Sequence, residues 1–99
     1  MTQPAAWQES LQKDAPEVFK IVNSAREAVL TDGALSLKVK ILMTMLCDAL
    51  LGHAGGVTTI ANRARAAGAT EEEIAETVGV AFLFGGMPAV VTGANAFKR

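Results

Sequence analysis

One histidine and one cysteine stand in this chain of 99 residues. His53 lies in the run Gly52-His53-Ala54-Gly55-Gly56, and Cys47 lies nearly two helical turns upstream of it. Histidine is the side chain whose ordinary titration falls near neutrality, so His53 is the candidate for proton transfer. The backbone N–H groups of Gly55, Gly56 and Val57 stand at the start of a helix, where orphan donors and the positive end of the dipole hold a carboxylate. Thr58 and Thr59 add hydroxyls in that first turn, and the chain around His53 thus combines a proton carrier with an anion cradle. The competing reading makes His53 a cap on the last carbonyls of the preceding helix. Cys47 reads as a small apolar residue of the core, with no redox role.

The element that must position these residues runs from Leu37 to Leu51 and is apolar almost all round, with Lys38, Lys40, Thr44 and Asp48 as its polar residues. A helix with so little polar surface is expected to be buried. Lys40, Thr44 and Asp48 fall four apart and line one side, facing solvent, a pocket or a subunit seam; in the pocket case Asp48 joins the binding residues. Met43 and Met45 point to different sides and read as core filler.

Helical punctuation continues along the rest of the chain. Pro4 suits the first turn of a helix through Trp7 and Leu11 to about Lys13, and Pro16 suits the first turn of the next. Val18, Phe19, Val22, Ala25 and Val29 give that second helix one apolar stripe, and Gly33 is expected to end it with a left-handed turn. Ser36 is an N-cap for the helix from Leu37. After the glycine break, Val57, Ile60, Ala61, Ala64 and Ala67 form a ridge of small residues, and Gly68 ends it. Thr70 and Glu73 make a capping box for a helix carrying Ile74, Val78, Ala81 and Phe82 inward. Gly85-Gly86-Met87-Pro88 breaks that helix, and Pro88 opens a last one through Val90, Val91, Ala94 and Phe97. The run from Val78 to Phe84 is apolar all round and its β-branching alone would suggest a strand, but the capping box and the continuous pattern from Glu71 argue for helix.

Composition narrows the partners. Hydrophobic residues make up 51% of the chain and the mean hydropathy is +0.30, more apolar surface than a domain of this size hides by itself. A membrane span needs roughly 20 apolar residues, and the helix from Leu37 to Leu51 is too short and carries charges, so no membrane partner is expected. The surplus points to a homo-oligomer. Nine basic and ten acidic residues give a net charge of −1. Arg63 and Arg65, without flanking aromatics, make no nucleic-acid footprint. The amino terminus shows no signal-peptide pattern, and a lone cysteine suits a reducing, cytoplasmic setting.

The stretch from Gly68 to Val91 (G-A-T-E-E-E-I-A-E-T-V-G-V-A-F-L-F-G-G-M-P-A-V-V) resembles the core of the carboxymuconolactone decarboxylase and alkyl hydroperoxidase D (AhpD-like) superfamily. Asp32 to Lys40 resembles the entry to that family's central helix, and Ala15 to Phe19 its upstream helix. The resemblance implies one all-α domain over residues 1–99, a bundle of about five to six helices. It also implies a homo-oligomer, commonly a trimer or hexamer.

The family's chemistry carries over only in part. AhpD-like peroxidases place a C-x-x-C pair, a histidine and a glutamate at positions that fall here on His53 and Gly56, Ile60 and Ile41. All four differ, so peroxiredoxin-type activity, which needs a thiolate and a resolving thiol, is not expected. The decarboxylase branch works without metal or organic cofactor and sets a histidine-rich segment at the same junction, where this chain keeps His53. That branch implies acid/base chemistry on a small carboxylate or lactone, with His53 catalytic and Gly55, Gly56, Val57, Thr58 and Thr59 binding. The alternative is a binding or structural oligomer on the same fold.

Overall fold

In the computed structural model, which describes residues 6–98, every regular element is helical. The described residues form α1 (Ala6–Asp14), α2 (Pro16–Val29), α3 (Leu37–Leu50), α4 (Ala54–Ala66) and α5 (Glu71–Gly93), closed by a 3-10 turn (Ala94–Phe97). Pro4 lies outside the described residues. The chain divides into two compact units, residues 1–31 and 32–99.

In the first unit α1 and α2 meet at Ala15, and Arg26 lies over the Trp7 ring, 5.2 Å from its centroid. That cation–π contact draws α1 back toward the end of α2. Neither helix contains a buried residue; Val18 and Val29 of the expected apolar side are exposed, and so is Ile21. Gly33 does not take the left-handed turn expected of it; those glycines are Gly52, Gly68 and Gly86. The end of α2 is closed instead by the Leu30 N–H, donating to the Arg26 carbonyl at 2.7 Å.

In the second unit Ser36 and Thr70 with Glu73 cap as read from the sequence, and Asp32 adds a contact that reading did not name. The Ser36 hydroxyl accepts from the Val39 N–H at 3.2 Å, and the Asp32 carboxylate accepts from the Leu37 N–H at 2.7 Å. Thr70 and Glu73 form a complete capping box, with bonds of 3.1 and 2.8 Å. Glu73 also takes a hydrogen bond from Lys38 Nζ at 2.9 Å, tying the start of α5 to the start of α3. The Thr70 N–H first, and then the Lys38 ammonium, hold the Glu73 carboxyl below its ordinary range.

The core is built from Met45 of α3, Val57 of α4 and Ile74 and Val78 of α5, filled in by alanines at 49, 61, 64, 81, 89 and 96. Small residues let the helices approach closely, as the ridge on α4 implied. Gly93 continues that logic on α5: a Cβ there would sit 3.0 Å from Val78 Cγ1. Arg65, at the end of α4, locks the closing turn. Its guanidinium makes a bidentate pair with Glu71 at 2.7 and 2.9 Å and donates to the Ala96 carbonyl at 2.8 Å.

α5 is two helical segments meeting at Gly86, whose φ of 65° and ψ of −155° belong to a region open essentially to glycine alone. The expected break is therefore present. Phe82 and Ala67, expected to face inward, are exposed, and Met43 is half exposed while Met45 is buried. The longest apolar run is also not α3. Glu71–Phe97 is long and apolar enough to cross a membrane by length and composition, although Gly86 interrupts it.

Candidate functional site

The end of α3 is shaped by one left-handed residue. Gly52 takes a φ of 79°, which a side chain rarely allows. The Leu51 N–H closes the last regular turn on the Cys47 carbonyl at 2.9 Å, and Gly52 then turns the chain so that the His53 N–H donates back to the Asp48 carbonyl at 2.9 Å. This is a Schellman closure. It sets residue 53 beside residue 48, although a straight helix would carry them apart.

The side chains follow the backbone. His53 Nδ1 lies 2.9 Å from Asp48 Oδ1. A carboxylate only accepts, so the geometry assigns a proton to Nδ1 and leaves Nε2 to exchange protons with whatever lies outside. The Asp48 side chain is 20% exposed and that of His53 57%. His53 is thus not a side-chain cap on α3: its backbone caps the helix while its ring pairs with a carboxylate.

Asp48 is held from the other side by Gly56. A Cβ on Gly56 would lie 2.8 Å from Oδ2, 2.9 Å from Cγ and 3.2 Å from Oδ1 of Asp48. The carboxylate therefore lies directly on the backbone of the first turn of α4, at the positive end of its dipole. The anion facing the turn expected to cradle a substrate carboxylate is the protein's own Asp48.

The remaining candidates divide. The Val57 side chain is fully buried, and its N–H donates to the His53 carbonyl at 2.9 Å. The Thr58 hydroxyl donates to the Asn95 carbonyl at 2.9 Å and binds the closing turn to α4. Because α4 begins at Ala54 rather than near Val57, Thr59 falls in its second turn, where it is exposed, and Gly55 is exposed in the first. Cys47 is exposed, which corrects its assignment to the core: α3 buries Met45 and Ala49, and Cys47 points away from both. Ile41 and Ile60, at the glutamate and histidine positions of the peroxidases, pack against the core.

The polar stripe of α3 does not form one pocket. The Lys40 ammonium reaches toward Gly33, lying 3.7 Å from where a Cβ there would stand. The Thr44 hydroxyl donates to the Lys40 carbonyl at 3.0 Å, and Asp48 pairs with His53. A shallow cleft of about 420 Å³ opens at the far end of α3, lined by Asp32, Ser36, Leu37, Lys38, Ala67 and Gly68. Nothing in the sequence marked it, and it lies a helix length from His53. Among the described residues no three His, Cys, Asp or Glu side chains cluster as metal ligands.

A family model described as the carboxymuconolactone decarboxylase family matches residues 16–99. The fold is similar to that of apo-lpg0406, a carboxymuconolactone decarboxylase family protein from Legionella pneumophila. The two share 30% identity and a TM-score of 0.86, covering 91% of this chain and 80% of that one. It is similar also to a Burkholderia xenovorans LB400 protein named for the same decarboxylase, with 26% identity, a TM-score of 0.90 and coverage of 96% and 75%. Among curated proteins there is no match.

Proposed function

This chain belongs to the carboxymuconolactone decarboxylase family, and we propose that its Asp48–His53 pair carries acid/base chemistry on a small carboxylate or lactone. The observation that carries this reading is the 2.9 Å contact at His53 Nδ1, which orients the ring and leaves Nε2 outward. In a decarboxylation the bond between the carboxylate and its carbon breaks and carbon dioxide leaves. The electron pair passes into the unsaturated lactone; His53, made an imidazolium when Nε2 takes a proton from solvent, passes that proton to the carbon that receives the pair and returns to the form protonated on Nδ1. Asp48 holds the ring and offsets the charge of the imidazolium, the role of the aspartate in a serine-protease triad. An isomerisation would use the same nitrogen twice, to take a proton from one carbon and return it to another.

The test is ultraviolet absorbance over a panel of unsaturated carboxylates and carboxylated lactones, with His53→Gln and Asp48→Asn beside the wild type. Loss of general acid/base catalysis costs about 10²- to 10⁴-fold, expected for His53→Gln, with a smaller loss for Asp48→Asn. Absence of turnover and of any ligand-induced shift of the His53 resonances would sink the reading. The protein would then be a binding or structural oligomer, an alternative supported by the 57% exposure of the His53 side chain. Thiol peroxidase activity has the least support, because Cys47 has no second cysteine in the chain. We infer that the working form is a homo-oligomer, a trimer or hexamer, from the exposed apolar residues of α5, in the reducing cytoplasm that a lone cysteine suits.

A further inference from the structure

We propose that Asp48 makes the junction selective for substrates without charge, so that uncharged unsaturated lactones enter and their carboxylate counterparts are turned away. The proposal rests on the reading of Asp48–His53 as the acid/base pair and says which of its candidate substrates that pair accepts.

A substrate carboxylate would be expected on the first turn of α4, and Asp48 already occupies it. A Cβ on Gly56 would lie 2.8 Å from Oδ2 and 2.9 Å from Cγ of Asp48, so no second carboxylate fits against that backbone. The helix end carries the equivalent of about half a positive charge and Asp48 a full negative one, which leaves the spot negative. A group hydrogen-bonded to His53 Nε2 stands within about 8 Å of Asp48, the sum of the 2.9 Å contact, the width of the ring and one more hydrogen bond. At that range like charges cost roughly 2- to 50-fold in affinity, between the dielectric of water and that of a protein surface.

The stretches of chain that border the pair carry no lysine or arginine. None occurs in residues 41–62, and residues 77–97 hold no charge at all. The second stretch includes the part of α5 beside the end of α3, where a Cβ on Gly85 would lie 2.9 Å from Leu50 Cδ2. Lys40 stands two turns before Asp48, and its ammonium reaches the other way, toward Gly33. Arg63 follows Gly56 by two turns, roughly 10 Å along α4, which is a Debye length in 0.1 M salt. Arg65 is committed to Glu71 and the Ala96 carbonyl. The turn is bordered by apolar surface instead: Leu50 and Leu51, which lead into it, are 41% and 69% exposed. An uncharged ring gains by covering those side chains, and a carboxylate does not.

On an uncharged lactone the pair has one route. His53 Nε2 takes a proton from the carbon beside the ring carbonyl, the electron pair moves into the conjugated system, and the imidazolium returns a proton at its far end. Substrate and product hold the same atoms, and no carbon dioxide leaves.

The test is a titration of the His53 ring resonances at about pH 8, where imidazoles are ordinarily neutral. The probes are a butenolide carboxylate, its methyl ester and its primary amide, one ring with and without the charge. In about 20 mM salt the wild type should bind the ester and the amide about tenfold tighter than the carboxylate. Salt at about 0.5 M should close most of that gap. Asp48→Asn should close it at low salt, and Arg63→Gln should leave it unchanged. If Asp48→Asn loses its helical spectrum, the salt series on the wild type carries the comparison. The proposal is overturned by a carboxylate that binds the wild type as tightly as its ester, by a gap that salt does not touch or that persists in folded Asp48→Asn, by carboxylate binding that vanishes in Arg63→Gln, or by no shift with any probe. Isomerisation of the ester with no gap in binding refutes the charge selection and keeps the acid/base pair. A salt-sensitive gap with no turnover of any probe does the reverse.

Discussion

Gly56→Ala separates the stability of the junction from its chemistry. The added methyl would stand 2.8 Å from Asp48 Oδ2 and 2.9 Å from its Cγ, inside normal contact, so the carboxylate must swing away. Swinging it stretches the 2.9 Å bond to His53 beyond hydrogen-bond range. That loss is about 0.5 to 1.5 kcal/mol. Against it, alanine gains about 1 kcal/mol over glycine inside a helix. The two nearly cancel, and since about 1 kcal/mol moves the midpoint of a domain this size by 4 to 8 °C, melting should shift by no more than that. The ring should change far more. With a single histidine, nitrogen-detected NMR reads its protonation site without ambiguity. The wild type should hold its proton on Nδ1, and Gly56→Ala should lose that preference. An unchanged protonation site, or a loss of stability above about 3 kcal/mol, would refute the placement of Asp48 against Gly56.

Three further outcomes follow from the packing. Ile74→Ala, at a fully buried core position, should lower unfolding free energy by about 2 to 5 kcal/mol in a urea titration. Arg65→Ala should cost about 1 to 3 kcal/mol by the same measurement and loosen the closing turn, seen as faster hydrogen exchange at Ala96 and Phe97. Glu73 has its folded-state pKa below its unfolded one, so its contribution is present above the ordinary 4.5 and fades as pH falls through the lowered value. Glu73→Gln keeps the capping geometry without the charge. The gap in melting temperature between wild type and variant should therefore be widest near neutral pH and close in acid.

Local signals were readable and facing directions were not. Ser36, Thr70 with Glu73, Gly68 and the Gly86 break act on their own neighbours, and each did what its residue type dictates. Cys47 and Phe82 lie on helices that are apolar nearly all round, where periodicity cannot say which face meets the core. The Asp48–His53 pair escaped for another reason: residues five apart do not meet on a helix, and only the left-handed Gly52 brings them together. An aspartate four residues before a glycine that precedes histidine is the signal that would have found it. Thr58 and Val57 looked available because a sequence does not show that the closing turn and the His53 carbonyl already engage them.

The break at Gly86 also decides how the last part of the chain folds. Helix growth is cooperative, and segments shorter than about 12 residues do not hold in water by themselves. The stretch after Gly86 is such a segment, and it cannot borrow the nucleus that the Thr70 capping box supplies to the helix before it. It forms only once Ala89, Gly93 and Ala96 find their places against α3 and α4, and once Arg65 and Thr58 grip its carbonyls. Within residues 32–98 the carboxyl-terminal segment therefore depends on tertiary contacts rather than on a helix nucleus of its own, a latch that closes only on a core already in place.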